Sequence, residues 1–276
     1  MYEAFYQLRE KPFSILPDPD LIFWAHTHRL AFAMLEFGVT NNAGFTAITG
    51  EIGSGKTTLV RHLLRMIDSY VTVGLISFTP HHGKDLLRWI MMSIDQPFEG
   101  DGPVLFKRFQ EFLLRERSRG RRTILIIDEA QNLGLEALEE LRMLSNINAD
   151  KDQPLQLILV GQPQLRDLLR SPHLLQFAQR ISSDFHLAPL TPDEVMQYID
   201  FRLQAVGAQY HLFTPEACAL VADVSHGIPR LINIICDTAL VYGFAANSDY
   251  ITEEIVESVI EHKNVFGSIQ VADQRR

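Results

Sequence analysis

The chain has 276 residues, 46% hydrophobic and 21% charged, a balance that supports one large core plus a smaller second domain and gives no sign of disorder. Its net charge of -9 argues against a protein that coats nucleic acid indiscriminately, while leaving room for a local basic face. Only Cys218 and Cys236 occur, with no CxxC pair and no His/Cys cluster at metal-ligand spacing, which predicts reduced thiols packed in helices and a cytoplasmic protein.

Residues 1 to 25 are rich in aromatics and prolines, among them Phe5, Tyr6, Pro12, Phe13, Pro17, Pro19, Phe23 and Trp24. Prolines at this density forbid a regular helix and the rings need a surface, so an extended arm is expected, lining a base pocket or covering a sheet edge. His28 to Phe37 then reads as a helix that ends at Gly38.

Phe45, Ala47 and Ile48 form a short apolar strand that breaks at Gly50, and helical character resumes at Lys56. Between them lies the loop Gly50, Glu51, Ile52, Gly53, Ser54, Gly55, Lys56, Thr57, Thr58, a G-x-x-x-x-G-K-T pattern. Glycines let the backbone turn tightly, so that successive N–H groups converge on a phosphate at the positive end of the following helix. Lys56 offers a mobile ammonium to the terminal phosphates, and the Thr57 hydroxyl can ligate Mg²⁺. A nucleoside triphosphate site is expected here.

The helix from Lys56 should run to about Met66, followed by a strand from Val71 to Phe78 and helices over Asp85 to Ile94 and Phe106 to Arg115. Arg115, Arg117, Arg119, Arg121 and Arg122 come next, either a solvated helix end where cations suit the negative pole or a contact for a phosphate backbone or acidic partner. Thr123 to Asp128 is a continuous apolar strand of the kind found inside a parallel sheet, and ligands bind beyond the carboxyl ends of such strands. Asp128 fits the carboxylate of a Mg²⁺ site, and Glu129 is placed to orient and deprotonate an attacking water. Two neighbouring buried acids are costly without a cation, which argues for Mg²⁺. A water-activating acid disfavours a kinase, and the lack of an N-K-x-D signature disfavours a GTPase, so ATP hydrolysis is the better reading.

Leu135, Leu138, Leu141 and Leu144 predict an apolar helix face. Gln156 to Gly161 is the next buried strand, and Gln162 at its end could sense a terminal phosphate or satisfy loop backbone groups. A helix over Pro163 to Gln179, with a break at Pro172, leads to Arg180 and a short strand, Asp184 to Leu187. Arg180, with Arg170 as substitute, could reach a neighbouring subunit's phosphate as an arginine finger or could simply be exposed.

From Leu190 the pattern is helical only, with starts at Thr191-Pro192, Thr214-Pro215, Pro229 and Thr252. Arg230 at a helix N-terminus opposes the dipole and so needs an anion, a nucleotide phosphate or a structural carboxylate. The resulting division is 1–189 for a nucleotide-binding domain with its arm, 190–266 for a helical lid, and 267–276 for a loose tail. Leu231 to Ala246, the best apolar run, is short and interrupted by Asn233 and Asp237, so neither a membrane span nor an export signal is expected.

With GEIGSGKT as Walker A, ILIIDE as Walker B, Gln162 as sensor 1, Arg180 as arginine finger and GIPR, including Pro229 and Arg230, as sensor 2, the chain resembles the AAA+ ATPases. The opening MYEAFYQLREKPFSILPDPDLIFW together with IIDEAQNL, LILVGQPQL, QRI and GIPRLIN is similar to the secretion-pathway A branch, itself similar to the transposition target-selection ATPases. The resemblance implies an α/β fold with a five-stranded parallel sheet between helices and a helical lid, ATP and Mg²⁺ as ligands, and a ring or filament homo-oligomer with ATP at subunit interfaces. It implies a protein partner in a secretion or envelope assembly. A DNA-binding transposition regulator on duplex DNA and a slow nucleotide-gated scaffold are the alternatives.

Overall fold

A computed structural model describes residues 1–68, 70–77, 85–148 and 154–266 of the chain, with 148 and 264–266 by backbone alone. The apolar runs become strands β1 (Phe45–Gly50), β2 (Val71–Ile76), β3 (Arg122–Ile127), β4 (Leu155–Gly161) and β5 (Ile181–Leu187). Among the described residues they form one five-stranded sheet in the order β2-β3-β4-β1-β5, and every pairing is parallel. The helices are α1 (Tyr2–Phe5), α2 (His26–Thr40), α3 (Lys56–Met66), α4 (Leu86–Ser93), α5 (Gly102–Ser118), α6 (Gly134–Ser145), α7 (Pro163–Leu169), α8 (Leu175–Ala178), α9 (Pro192–Ala205), α10 (Pro215–Ser225), α11 (Pro229–Ala245) and α12 (Glu253–Phe266).

Contacts divide the chain into two units, a sheet unit of 29–50 and 59–187 and a helical unit of 1–28, 51–58 and 188–266. In the sheet unit β1 and β4 are buried along their whole length. Successive strand side chains point to opposite faces. Leu125 and Ile127 enter a core with Ile90 of α4, Phe109 of α5, Leu138 of α6, Leu165 of α7 and Phe177 of α8. Ile124 and Ile126, on the other face, are equally inaccessible. On that second face α2 comes close: Ser183 donates to the Met34 carbonyl and the Gln156 amide to that of Gly38. Helices cover both faces, as a purely parallel sheet requires.

The expected α/β sandwich is therefore present, with local differences. Gly38 does not end its helix. It lies inside α2, where a Cβ would stand 2.5 Å from the Thr46 hydroxyl, so the residue marks close helix–sheet approach instead of a cap. Leu138, Leu141 and Leu144 are buried but Leu135 is 40% exposed, because a three-residue step falls short of the 3.6-residue turn and the first of the series is rotated off the buried face. The helix after Pro163 stops at Leu169, before Pro172, since the residue preceding a proline is driven from helical geometry. Phe78 and the tail 267–276 lie outside the described residues.

The arm differs most. Tyr2, Tyr6, Leu8 and Phe13 are buried in the core of the helical unit with Ile199, Val221, Ile235 and Val256, so residues 1–28 group with the C-terminal helices and not with the sheet expected to share 1–189. The lid helices present an apolar face that the rings fill, Phe13 meeting Phe213 edge-on at 6.0 Å. Each such ring contributes about 1.5–3 kcal/mol by leaving water. Buried Arg202 donates to the Pro12 carbonyl at 2.7 Å, and Asn233 to that of Ser14 at 3.0 Å, which satisfies the arm's backbone where its prolines bar regular pairing. The predicted helix starts hold, Thr191 making a full capping box and Thr214 accepting from the Ala217 N–H. Cys218 and Cys236 are buried free thiols in α10 and α11, and burial pushes the Cys218 thiol up to about 12.

Candidate nucleotide site

The phosphate loop leaves the carboxyl end of β1, where Gly50 pairs with Leu187 of β5 and Thr49 with Gly161 of β4. Gly53 and Gly55 have φ of 83° and 101°, backbone that L side chains seldom adopt. A Cβ on Gly53 would lie 2.4 Å from that of Arg230, so the glycine also admits the start of α11. There the Arg230 N–H donates to the Gly53 carbonyl at 3.2 Å, and the Ser54 N–H closes a turn to the Glu51 carbonyl at 3.1 Å. Lys56, 6% exposed at the start of α3, donates its ammonium to the Glu51 carbonyl at 2.8 Å. Ile52 and Glu51 are exposed, Ser54 is buried, and Thr57 and Thr58 follow in the first turn of α3.

The carboxylates stand at the same end of the sheet. The Asp128 N–H donates to the Ile76 carbonyl at 2.9 Å, and its side chain, 8% exposed, accepts from the Glu129 N–H at 3.0 Å. Glu129 has φ of 54°, left-handed backbone that is uncommon for a residue with a Cβ and that clusters at functional positions. Its Oε2 accepts from the Gln131 amide at 2.6 Å and the Gln162 amide at 2.9 Å, while the Gln162 N–H donates to Gln131 Oε1 at 3.0 Å. Gly161 makes room for this triangle, since a Cβ there would lie 2.8 Å from Gln131 Oε1. Gln162 thus meets Glu129.

Arg180 is exposed and immediately precedes β5; its guanidinium donates to the Arg142 carbonyl and the Ser145 hydroxyl at the end of α6. A cation suits that negative helix pole. Arg170 caps the end of α7. Pro229 is the first residue of α11, and Arg230 follows, exposed, with its stem against Gly53.

Residues 39–169 match the sequence family described as an AAA domain. General secretion pathway protein A of Aeromonas hydrophila is 39% identical over 274 residues, 99% of this chain and 48% of that protein. The chain belongs to the secretion-pathway A branch of the AAA+ ATPases. It spans about half the length of this curated relative. Among solved structures, Cdc6p from Pyrobaculum aerophilum superposes with a TM-score of 0.67 at 17% identity over 88% of this chain and 68% of that one. The Drosophila ORC bound to DNA gives 0.67 at 17% over 94% and 65%, and the Thermotoga maritima RuvB branch migration motor gives 0.57 at 19% over 95% and 76%. These likenesses share the fold.

For an AAA+ chain the arginine run is notable for being engaged internally. Arg119 and Arg121 pair with Glu116 at 3.0 and 3.9 Å, Arg115 donates to Gln96 at 3.0 Å, and Arg122 donates to the Val39 carbonyl at 2.5 Å and to Asn42. The Thr72 hydroxyl, with Arg119 and Arg121, holds the Glu116 carboxyl below its usual range. The sequence reading missed two participants. Gln131 carries a legible signal, an amide two residues beyond Glu129 on a tight turn. His28 carries none, because a histidine early in a helix has no pattern that points to a loop some 26 residues away. Among the described residues no helix is long and apolar enough to cross a membrane.

Proposed function

We propose that the chain binds ATP with Mg²⁺ at the phosphate loop and hydrolyses it, as the switch of a homo-oligomer that helps assemble a secretion or envelope complex from the cytoplasmic side. The observation that carries this reading is the buried Lys56 on a loop whose glycines at 53 and 55 open its backbone to an anion. An ammonium this sheltered needs strong acceptors, and phosphate oxygens are strong acceptors for it.

The residues fit the ligand. N–H groups from Glu51 to Thr58 supply the cradle, with Pro229 and Arg230 beside Gly53. Thr57 and Asp128 would hold Mg²⁺, which when bound neutralises phosphate charge. Glu129 orients a water and takes its proton, while Gln131 and Gln162 fix the carboxylate's direction. Arg180 completes the site of a neighbouring subunit after leaving the α6 end, or Arg170 does so in its place.

The secretion role is supported by the 39% identity to General secretion pathway protein A. Duplex DNA is the less favoured partner, since the arginines suited to it are turned to Glu116, Gln96 and Val39.

Mixing variants tests the shared site. Glu129→Gln and Arg180→Ala subunits should each turn over ATP at least about tenfold more slowly than wild type. A mixture should regain activity by pairing an intact carboxylate with an intact finger, and rates per subunit should rise with protein concentration. A mixture no faster than the sum of its parts, at concentrations where the chain assembles, contradicts the proposal.

A further inference from the structure

We infer that His28 is a positioning residue for the phosphate loop: its ring N–H sets the Ser54–Gly55 peptide so that the Gly55 N–H faces the nucleotide. The inference rests on the ATP reading above and adds a side chain to it.

His28 sits in the first turn of α2, 6% exposed, with Nε2 3.1 Å from the Ser54 carbonyl oxygen. A carbonyl only accepts, so Nε2 carries the proton. Nδ1 is buried and has no hydrogen-bond partner among the described residues, and a proton there would be a stranded donor. Burial also holds the imidazole below its ordinary range. The ring is neutral, in the Nε2–H form.

In a trans peptide the C=O and the following N–H point in opposite directions. Drawing the Ser54 carbonyl toward His28 therefore turns the Gly55 N–H away from the ring, into the row of loop amides that receives an anion. Gly55 is shaped for this neighbour. Its φ of 101° suits glycine, and a Cβ there would come within 3.1 Å of His28 Nε2.

The neighbouring carbonyls are engaged in the same manner, Gly53 by the Arg230 N–H and Glu51 by the Ser54 N–H and Lys56. Two of these donors are backbone N–H groups, and Lys56 turns to phosphate when nucleotide binds. His28 is thus a side chain whose task is the loop's shape. Its helix is itself fixed, since the His26 N–H donates to Glu194 Oε1 at 3.0 Å while the same carboxylate caps α9.

The test uses the whole chain and a non-hydrolysable ATP analogue with Mg²⁺, read by calorimetry. Gln places an amide nitrogen where the imidazole Nε2 stands, and Leu does not. His28→Leu should weaken the analogue at least about tenfold with the ligand-free melting temperature within a few degrees of wild type, and His28→Gln should stay within about threefold. Wild-type affinity in folded His28→Leu, or a folded His28→Gln as weak as the Leu variant, overturns the inference. Should His28→Leu fail to fold, nitrogen NMR of the wild-type ring decides: Nε2–H with a bare Nδ1 supports the inference, and any other form overturns it. Lys56→Ala separates the two layers. Retained binding in that variant sinks the ATP reading itself, whereas loss there with wild-type binding in His28→Leu sinks only the role of His28.

Discussion

At Glu129 two amides converge on one carboxylate oxygen, at 2.6 and 2.9 Å, and the left-handed backbone gives the side chain its direction. A carboxylate held this way is oriented before any substrate arrives, and the general-base role proposed for it depends on that geometry. Gln162→Ala should therefore lower turnover at least about tenfold while ATP affinity stays within about threefold, as single-turnover kinetics beside equilibrium binding would show. A change in affinity alone would place Gln162 on the phosphates and not on the base. The places of Lys56, Asp128 and Glu129 were legible because they attach to a loop and a strand end that sequence pattern defines. The Gln131–Gln162 pair was not, since it depends on β3 and β4 being neighbours and on Gly161 giving the amide room.

Glu194 joins elements far apart in the chain. As the third residue of α9 it caps Thr191, and it also accepts from the His26 N–H at the start of α2. Burial pushes its carboxyl up, but the Thr191 and His26 hydrogen bonds prevail and hold it below its ordinary value of 4.5. The contribution is present above pH 4.5 and is lost as pH falls through the lower folded value. Glu194→Gln should cost about 1 kcal/mol near neutrality, a few degrees in melting temperature, and the gap to wild type should close in acid. An equal gap at pH 7 and pH 3 would mean the carboxylate's charge is irrelevant. The capping box itself was readable as T-x-x-E; the bond to His26 was not, being 168 residues distant.

For the molecule as a whole, continuous apolar runs foretold the buried parallel sheet, and proline-led helix starts foretold the C-terminal helices. The arm's aromatics announced a need for burial without naming the surface, because burial energy has no direction in sequence. Their place among α9 to α12 groups the first 28 residues, the phosphate loop and the C-terminal helices in one unit. Donors from α2 and α11 hold the Ser54 and Gly53 carbonyls, so within that unit the loop's shape and the helices' placement are one structural problem. Central to the proposed function is ATP bound by Lys56 and cleaved with the help of Glu129. A single-turnover time course with labelled ATP, run on wild type, Lys56→Ala and Glu129→Gln, tests it most directly. The prediction is ATP bound and converted by wild type, bound but scarcely converted by Glu129→Gln, and bound at least about tenfold more weakly by Lys56→Ala. Wild-type binding by a folded Lys56→Ala, or wild-type conversion by Glu129→Gln, would contradict it.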